Sequence, residues 1–207
     1  DSEMRIKQEL LLGMGVVRVL EAMGVRPKVY HMNEVHSAFM ALERIRKTMD
    51  ENDLDFPAAQ AACSRGNVFT THTPVPAGFD LFNKELMEKY LGDYVAKLGV
   101  PFEGFLSSGR GDPYDDKEPF NMAVYAARNS NFINGVSQLH GEISRQIFHT
   151  ITPDVPVHEI PIGAVTNGVH HSTWTSAEMW HLLARYLGPR WGEEPDDQAT
   201  WSRAYST

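Results

Sequence analysis

Ile6, Leu10, Met14, Val17 and Leu20 recur at steps of three and four, the stripe of an amphipathic helix over residues 3–23. Gly24 and Pro27 end it. Lys28-Val29-Tyr30-His31-Met32 is then a short β-rich run, after which Ala38, Phe39, Leu42 and Ile45 return to the helical period up to about residue 47. The same strand-then-helix alternation recurs at 67–71 with 81–95, at 132–134 with 139–148, and at 162–166 with 177–187. Strands that alternate with helices favour a parallel sheet, because hairpins cannot join parallel strands. The pattern predicts an α/β fold, a doubly wound parallel sheet flanked by helices. Residues 102–120 break the alternation with Ser107, Ser108, Gly109, Gly111, Pro113, Pro119 and five acids, and are predicted to form a long surface loop.

At 207 residues the chain has room for one sizeable core, burying roughly 70% of the surface that it exposes unfolded. Its 27 acidic against 19 basic residues, a net charge of −8, disfavour nucleic acid and anionic membranes as partners. No run approaches the roughly 18 apolar residues of a membrane span. The single cysteine, Cys63, offers neither an intrachain disulfide nor a zinc knuckle, so a cytoplasmic location is expected. The chain opens on Asp1-Ser2-Glu3-Met4 and runs at once into helix, as an excised piece would. One partial domain is expected over 1–191; Gly192-Glu193-Glu194-Pro195-Asp196-Asp197 is a polar break, and 192–207 begins a following segment.

Polar clusters follow all four expected strands: Asn33-Glu34-Val35-His36, Thr71-His72-Thr73, Asn134-Gly135 and Thr166-Asn167-Gly168. Ligands of open parallel sheets bind outside the carboxyl ends of the strands, so these clusters are expected to line one cleft. Their amides and imidazoles both donate and accept hydrogen bonds, which suits sugar hydroxyls better than phosphate. Each cluster has a plainer reading: Asn and Thr after a strand are common helix caps, Asn-Gly is a common turn, and His72 could be a satisfied core histidine. His36, His158 and the adjacent His170 and His171 show no metal-binding spacing, and no metal is expected. Gly135-Val136-Ser137-Gln138-Leu139 misses the nucleophile-elbow pattern at its last residue, and Gly13-Met14-Gly15 lies within a helix rather than after a strand.

Taken in order, several motifs resemble the α-glucan phosphorylases from about Arg5 to Trp174. They are Arg5-Ile6-Lys7-Gln8-Glu9, Met32-Asn33-Glu34-Val35-His36, Phe69-Thr70-Thr71-His72-Thr73, Ile133-Asn134-Gly135-Val136-Ser137 with His140-Gly141-Glu142, and Thr166-Asn167-Gly168 with Trp174. Glu118-Pro119-Phe120-Asn121-Met122 and the run from Asn33 to Arg46 are similar to the divergent bacterial branch. Where the animal enzymes read Asn-Asp-Thr-His-Pro, this chain has Asn33-Glu34-Val35-His36-Ser37. The resemblance implies the Rossmann-like part of the N-terminal domain of a two-domain, GT-B-type glycosyltransferase. It implies that the parent moves the terminal α-1,4-linked glucosyl unit of a glucan to inorganic phosphate, giving α-glucose 1-phosphate, and that the fragment alone is inactive. By the same resemblance His72 and Asn167 hold the 6-hydroxyl of the transferred glucosyl unit, Glu34 and His36 lie on the acceptor side, and Asn33, Thr71 and Asn134 belong to the substrate-binding set. Pyridoxal phosphate is implied for the parent on a lysine of the C-terminal domain, outside this chain, as is a homodimer. A non-catalytic carbohydrate-binding or regulatory module of the same fold is the alternative; a transferase using a nucleotide sugar would share the fold, but these motifs give it no support.

Overall fold

Asp1 caps the first helix, its carboxylate accepting from the Glu3 amide at 2.9 Å. In the computed structural model, which describes residues 1–206, this helix, α1, spans Ser2–Ala22. Gly24 closes it at φ +69°, a left-handed conformation that glycine adopts without strain. The buried line of α1 holds the expected Ile6, Met14 and Val17, and adds Glu9 and Gly13. Gly13 is there for contact. A Cβ on it would stand 2.8 Å from the Met40 amide nitrogen and 3.0 Å from the Phe39 carbonyl carbon, both backbone atoms of the next helix. Alanine is intrinsically better than glycine inside a helix by about 1 kcal/mol. Gly13→Ala is nevertheless expected to destabilise by about 1–3 kcal/mol through overpacking, read as a lower melting temperature; a gain in stability would show that the two helices can part.

Two units make up the chain, Asp1–Thr166 and Asn167–Thr207. In the first, β1 (Tyr30–Asn33) leads through a short 3-10 turn into α2 (Phe39–Asn52), then α3 (Phe56–Ser64) and β2 (Asn67–Thr70). A two-residue strand β3 (Leu81–Phe82) pairs antiparallel with β4 (Phe120–Asn121). Between these two strands lie α4 (Lys84–Lys97) and α5 (Phe102–Ser107), and after them come α6 (Met122–Arg128), β5 (Phe132–Gly135), α7 (Gln138–Phe148) and β6 (Ile162–Ala164). The four longer strands form one parallel sheet in the order β1-β2-β5-β6, so each new strand is added beside the last. This is the expected α/β architecture, a parallel sheet flanked by helices.

The surface loop expected over 102–120 is corrected in its first half by the structure. Phe102, Phe105 and Leu106 carry helical spacing into α5, and Phe105 stacks on Phe120 at 5.3 Å between ring centres, both rings in the core. Arg110 is buried beside them, bonded to the Glu103 carboxylate at 2.6 Å and to the Glu118 carbonyl at 3.1 Å. Residues 108–119 form turns, and 112–117 among them are exposed, so the surface loop holds for the second half of the stretch. In the second unit, α8 (His171–Trp174), α9 (Ala177–Leu187) and α10 (Gln198–Ser202) are linked by short turns, with Ser176 and Asp197 as helix caps. Among the described residues no helix is long and apolar enough to cross a membrane.

Candidate functional site

Register brings the strand-end residues of the first unit together. Asn33 of β1 lies opposite Thr70 of β2, and Thr70 opposite Asn134 of β5, so the three share one sheet face at the carboxyl ends. The Thr70 hydroxyl donates to Asn134 Oδ1 at 2.9 Å, and His31 Nε2 lies 2.7 Å from that hydroxyl oxygen. Because the hydroxyl proton is committed to Asn134, His31 donates from Nε2. Asn134 in turn donates from Nδ2 to the Gly135 carbonyl, and its own carbonyl accepts from the Thr71 amide.

Glu34, the residue after β1, has φ 68° and ψ −177°, a region that is essentially reserved for glycine and costs other residues on the order of 1–3 kcal/mol. What the conformation achieves is visible in its bonds. Oε1 accepts from the His72 amide at 2.9 Å and Oε2 accepts from the Thr73 hydroxyl at 2.8 Å, so one carboxylate clamps the loop beyond β2 to the end of β1. His72 is exposed, which removes the core-histidine reading, and its Nε2 donates to Asn33 Oδ1 at 2.5 Å. That bond orients the ring. Thr71 is placed differently: it is fully buried, its hydroxyl oxygen has no hydrogen-bond partner, and it does not reach the rim.

The Asn134-Gly135 turn passes directly into α7. Ser137 caps that helix by accepting from the His140 amide at 3.1 Å, and His140 Nδ1 accepts from the Val136 amide at 3.1 Å. The serine and histidine therefore serve the helix start, and the near-miss nucleophile elbow is a capping motif. Asn167 opens the second unit and is exposed. In that unit His171 donates to the Gly192 carbonyl at 3.0 Å and stacks on Trp180 at 5.9 Å, while His170 bonds the Thr173 hydroxyl at 2.6 Å. The histidine pair is thus held by local packing and hydrogen bonds.

His36 has partners that sequence spacing did not reveal. Its Nδ1 takes a hydrogen bond from Arg5 Nη2 at 2.5 Å, and it lies 3.5 Å from Asp80 Oδ2 and 3.9 Å from Glu9 Oε1. Ligand-type atoms of Glu9, His36 and Asp80 all fall within 4.8 Å of one another, but the Arg5 guanidinium sits among them, bonded to Asp80 at 2.9 Å, and supplies the positive charge. Burial, reinforced by neighbouring Asp80, pushes the Glu9 carboxyl up to about 9. Burial acts on Asp80 in the same sense, yet its bonds to Arg5 hold it below the usual carboxylate range.

A parallel sheet flanked by helices, with a braced set of hydrogen-bonding groups at its strand ends, places the chain among α/β domains. The chain is similar over 197 residues, 95% of its length, to the maltodextrin phosphorylase of Thermococcus litoralis, with 39% identity. It is similar over 198 residues, 90% of its length, to the glycogen phosphorylase of Mycobacterium tuberculosis at 42% identity, and over 201 residues, 97% of its length, to that of Aquifex aeolicus at 29%. These matches cover 23%, 22% and 28% of the three proteins, so the chain spans about a quarter of the length of the curated relatives that it matches. No family model matches the chain. The resemblance to the α-glucan phosphorylases thus holds along nearly the whole sequence, which corresponds to one part of such a protein.

Proposed function

We propose that this chain is the sugar-side part of an α-glucan phosphorylase, a glycosyltransferase that moves the terminal α-1,4-linked glucosyl unit of a glucan to inorganic phosphate and releases α-glucose 1-phosphate. The observation that carries the reading is the Glu34 clamp, which holds an exposed His72 beside Asn33 at the end of the sheet. Buried hydrogen bonds from a fixed imidazole and fixed amides recognise hydroxyls, and an analogue that leaves one unpaired loses about 1–3 kcal/mol. His72 and Asn167 orient the 6-hydroxyl of the transferred unit, while Asn33, Asn134 and His36 complete the binding set. Glu34 contributes by holding the loop. The full-length protein is proposed to be cytoplasmic and dimeric.

The chemistry is retaining, so the sugar must be held while its linkage to the glucan is exchanged for one to phosphate; these residues position and do not react. The pyridoxal phosphate implied for the parent does not fit the rim of this chain. None of the four strand-end clusters contains a lysine, and Lys47, Lys84 and Lys89 pair with carboxylates of other elements while Lys7 pairs with Glu3 one turn away in α1. The test is phosphate-dependent release of glucose 1-phosphate from maltodextrin, run on the full-length protein loaded with pyridoxal phosphate and on this chain alone. Activity in the full-length protein only is the expected result. Sugar binding without phosphorolysis in either would establish a non-catalytic carbohydrate-binding module instead.

A further inference from the structure

Outside the rim, the most unusual group in the first unit is Glu9. Its side chain is 1% exposed, and neither carboxylate oxygen has a hydrogen-bond partner. Arg5 Nε is only 3.1 Å from Glu9 Oε1, but its single N–H is aimed at Asp80 Oδ2, 3.2 Å away. Arg5 Nη2 donates to Asp80 and to His36 Nδ1. The Nε and Nη2 protons are thus spent on Asp80 and His36, and Glu9, whose carboxylate lies within 4.8 Å of that of Asp80, accepts no hydrogen bond, so a donor between the two acids requires that one carboxyl carry a proton. Charge points the same way. With His36 accepting from Arg5 at Nδ1, its ring proton lies at Nε2, and two ionised carboxylates would leave one negative charge unbalanced beside the buried Glu9 side chain.

We propose that Glu9 and Asp80 work as one acid pair, sharing a single proton and a single negative charge, which pins Arg5 against His36 and so positions the His36 Nε2–H toward the acceptor side of the glucan site. This rests on the phosphorylase reading given above. Glu9 is the proton-bearing member, because burial disfavours its charged form while Arg5 stabilises the charge on Asp80. The pair spans three pieces of chain: Arg5 and Glu9 from α1, His36 from the turn after β1, and Asp80 from the residue before β3. No metal is needed, since the guanidinium already occupies the place that a cation would take.

The experiment compares Glu9→Gln, Glu9→Leu and the double change Glu9→Gln with Asp80→Asn in the full-length protein. Glutamine keeps a neutral donor toward Asp80, so Glu9→Gln should keep the KM for maltodextrin within about threefold of wild type. Glu9→Leu removes the donor, and the double change removes the charge that balances Arg5; each should raise that KM about tenfold, with kcat changed much less. Melting temperatures identify any variant that simply fails to fold. A Glu9→Gln variant as impaired as Glu9→Leu, or an unchanged KM in all three folded variants, would overturn the proposal. A second readout does not depend on phosphorolysis. Glu9 has a folded pKa of about 9, above its ordinary 4.5, so the folded state holds the extra proton between those values. Its contribution is fully present below about pH 4.5 and is lost as pH rises toward 9. Wild type should therefore lose stability relative to Glu9→Gln between pH 5 and 9. Parallel curves would refute the shared proton even if the full-length protein proved not to phosphorolyse glucan.

Discussion

His72→Ala in the full-length protein is expected to lower turnover on maltodextrin by some tens of fold while leaving the melting temperature close to that of wild type. The two halves of this result have separate physical sources. His72 is exposed and its ring is bonded to Asn33, so truncation opens no cavity and strands only a solvent-facing oxygen. Turnover, in contrast, depends on holding the transferred glucosyl unit in a reactive orientation. About 2 kcal/mol of lost positioning corresponds to roughly a thirtyfold slower reaction. Asn167→Ala, at the start of the second unit, is expected to show the same loss, because it is proposed to hold the same hydroxyl. Wild-type kinetics in both variants would remove the assignment; a fall in stability alone would mean that these residues serve the fold.

The second large effect falls on stability. A Cβ at Gly135 would stand 2.8 Å from the Gly141 amide nitrogen, 2.8 Å from His140 Nδ1 and 3.0 Å from the His140 carbonyl carbon. Two of these are backbone atoms of α7, so no flexible side chain can swing away to make room. Gly135→Ala must push the first turn of α7 off β5, and the bond from the Val136 amide to His140 Nδ1 goes with it. Overpacking of about 1–3 kcal/mol and one lost hydrogen bond of about 1 kcal/mol give an expected destabilisation of about 2–4 kcal/mol. Because Asn134 is the adjacent residue, sugar binding should weaken as well. Denaturant unfolding of the variant checks the prediction. An unchanged midpoint would mean that the strand and helix are loosely apposed at this point.

The four strand-helix alternations were legible in the sequence because each strand is a short apolar run and α1, α2, α7 and α9 each show an apolar stripe. What escaped notice lacked such contrast. In α6 every residue from Met122 to Ala127 is buried, so no polar face marks a period, and α3 is built largely of small residues that form no stripe. The strands β3 and β4 are two residues long, too short for alternation to show. At the site, the strand-end clusters were visible as clusters, and register explains how their members differ. Thr70 and Thr71 are both buried, but Thr70 lies opposite Asn33 and Asn134 and its hydroxyl reaches Asn134, while the Thr71 hydroxyl, one residue on, has no partner. Glu9 gave no sign of its role, since a glutamate among the charged residues of a helix start reads as a solvated position. Its partner Asp80 lies too far along the chain for any local pattern to join them.

The backbone of Glu34 has an implication for how this protein could be altered. A glycine there would relax a conformation that costs other residues on the order of 1–3 kcal/mol, and it would also remove the carboxylate that holds the His72 loop. Firmness of the loop and ease of the backbone are therefore opposed at a single residue. Glycine at this position would ease the backbone at the expense of both clamp hydrogen bonds, and the loop that carries His72 would lose its tie to the end of β1.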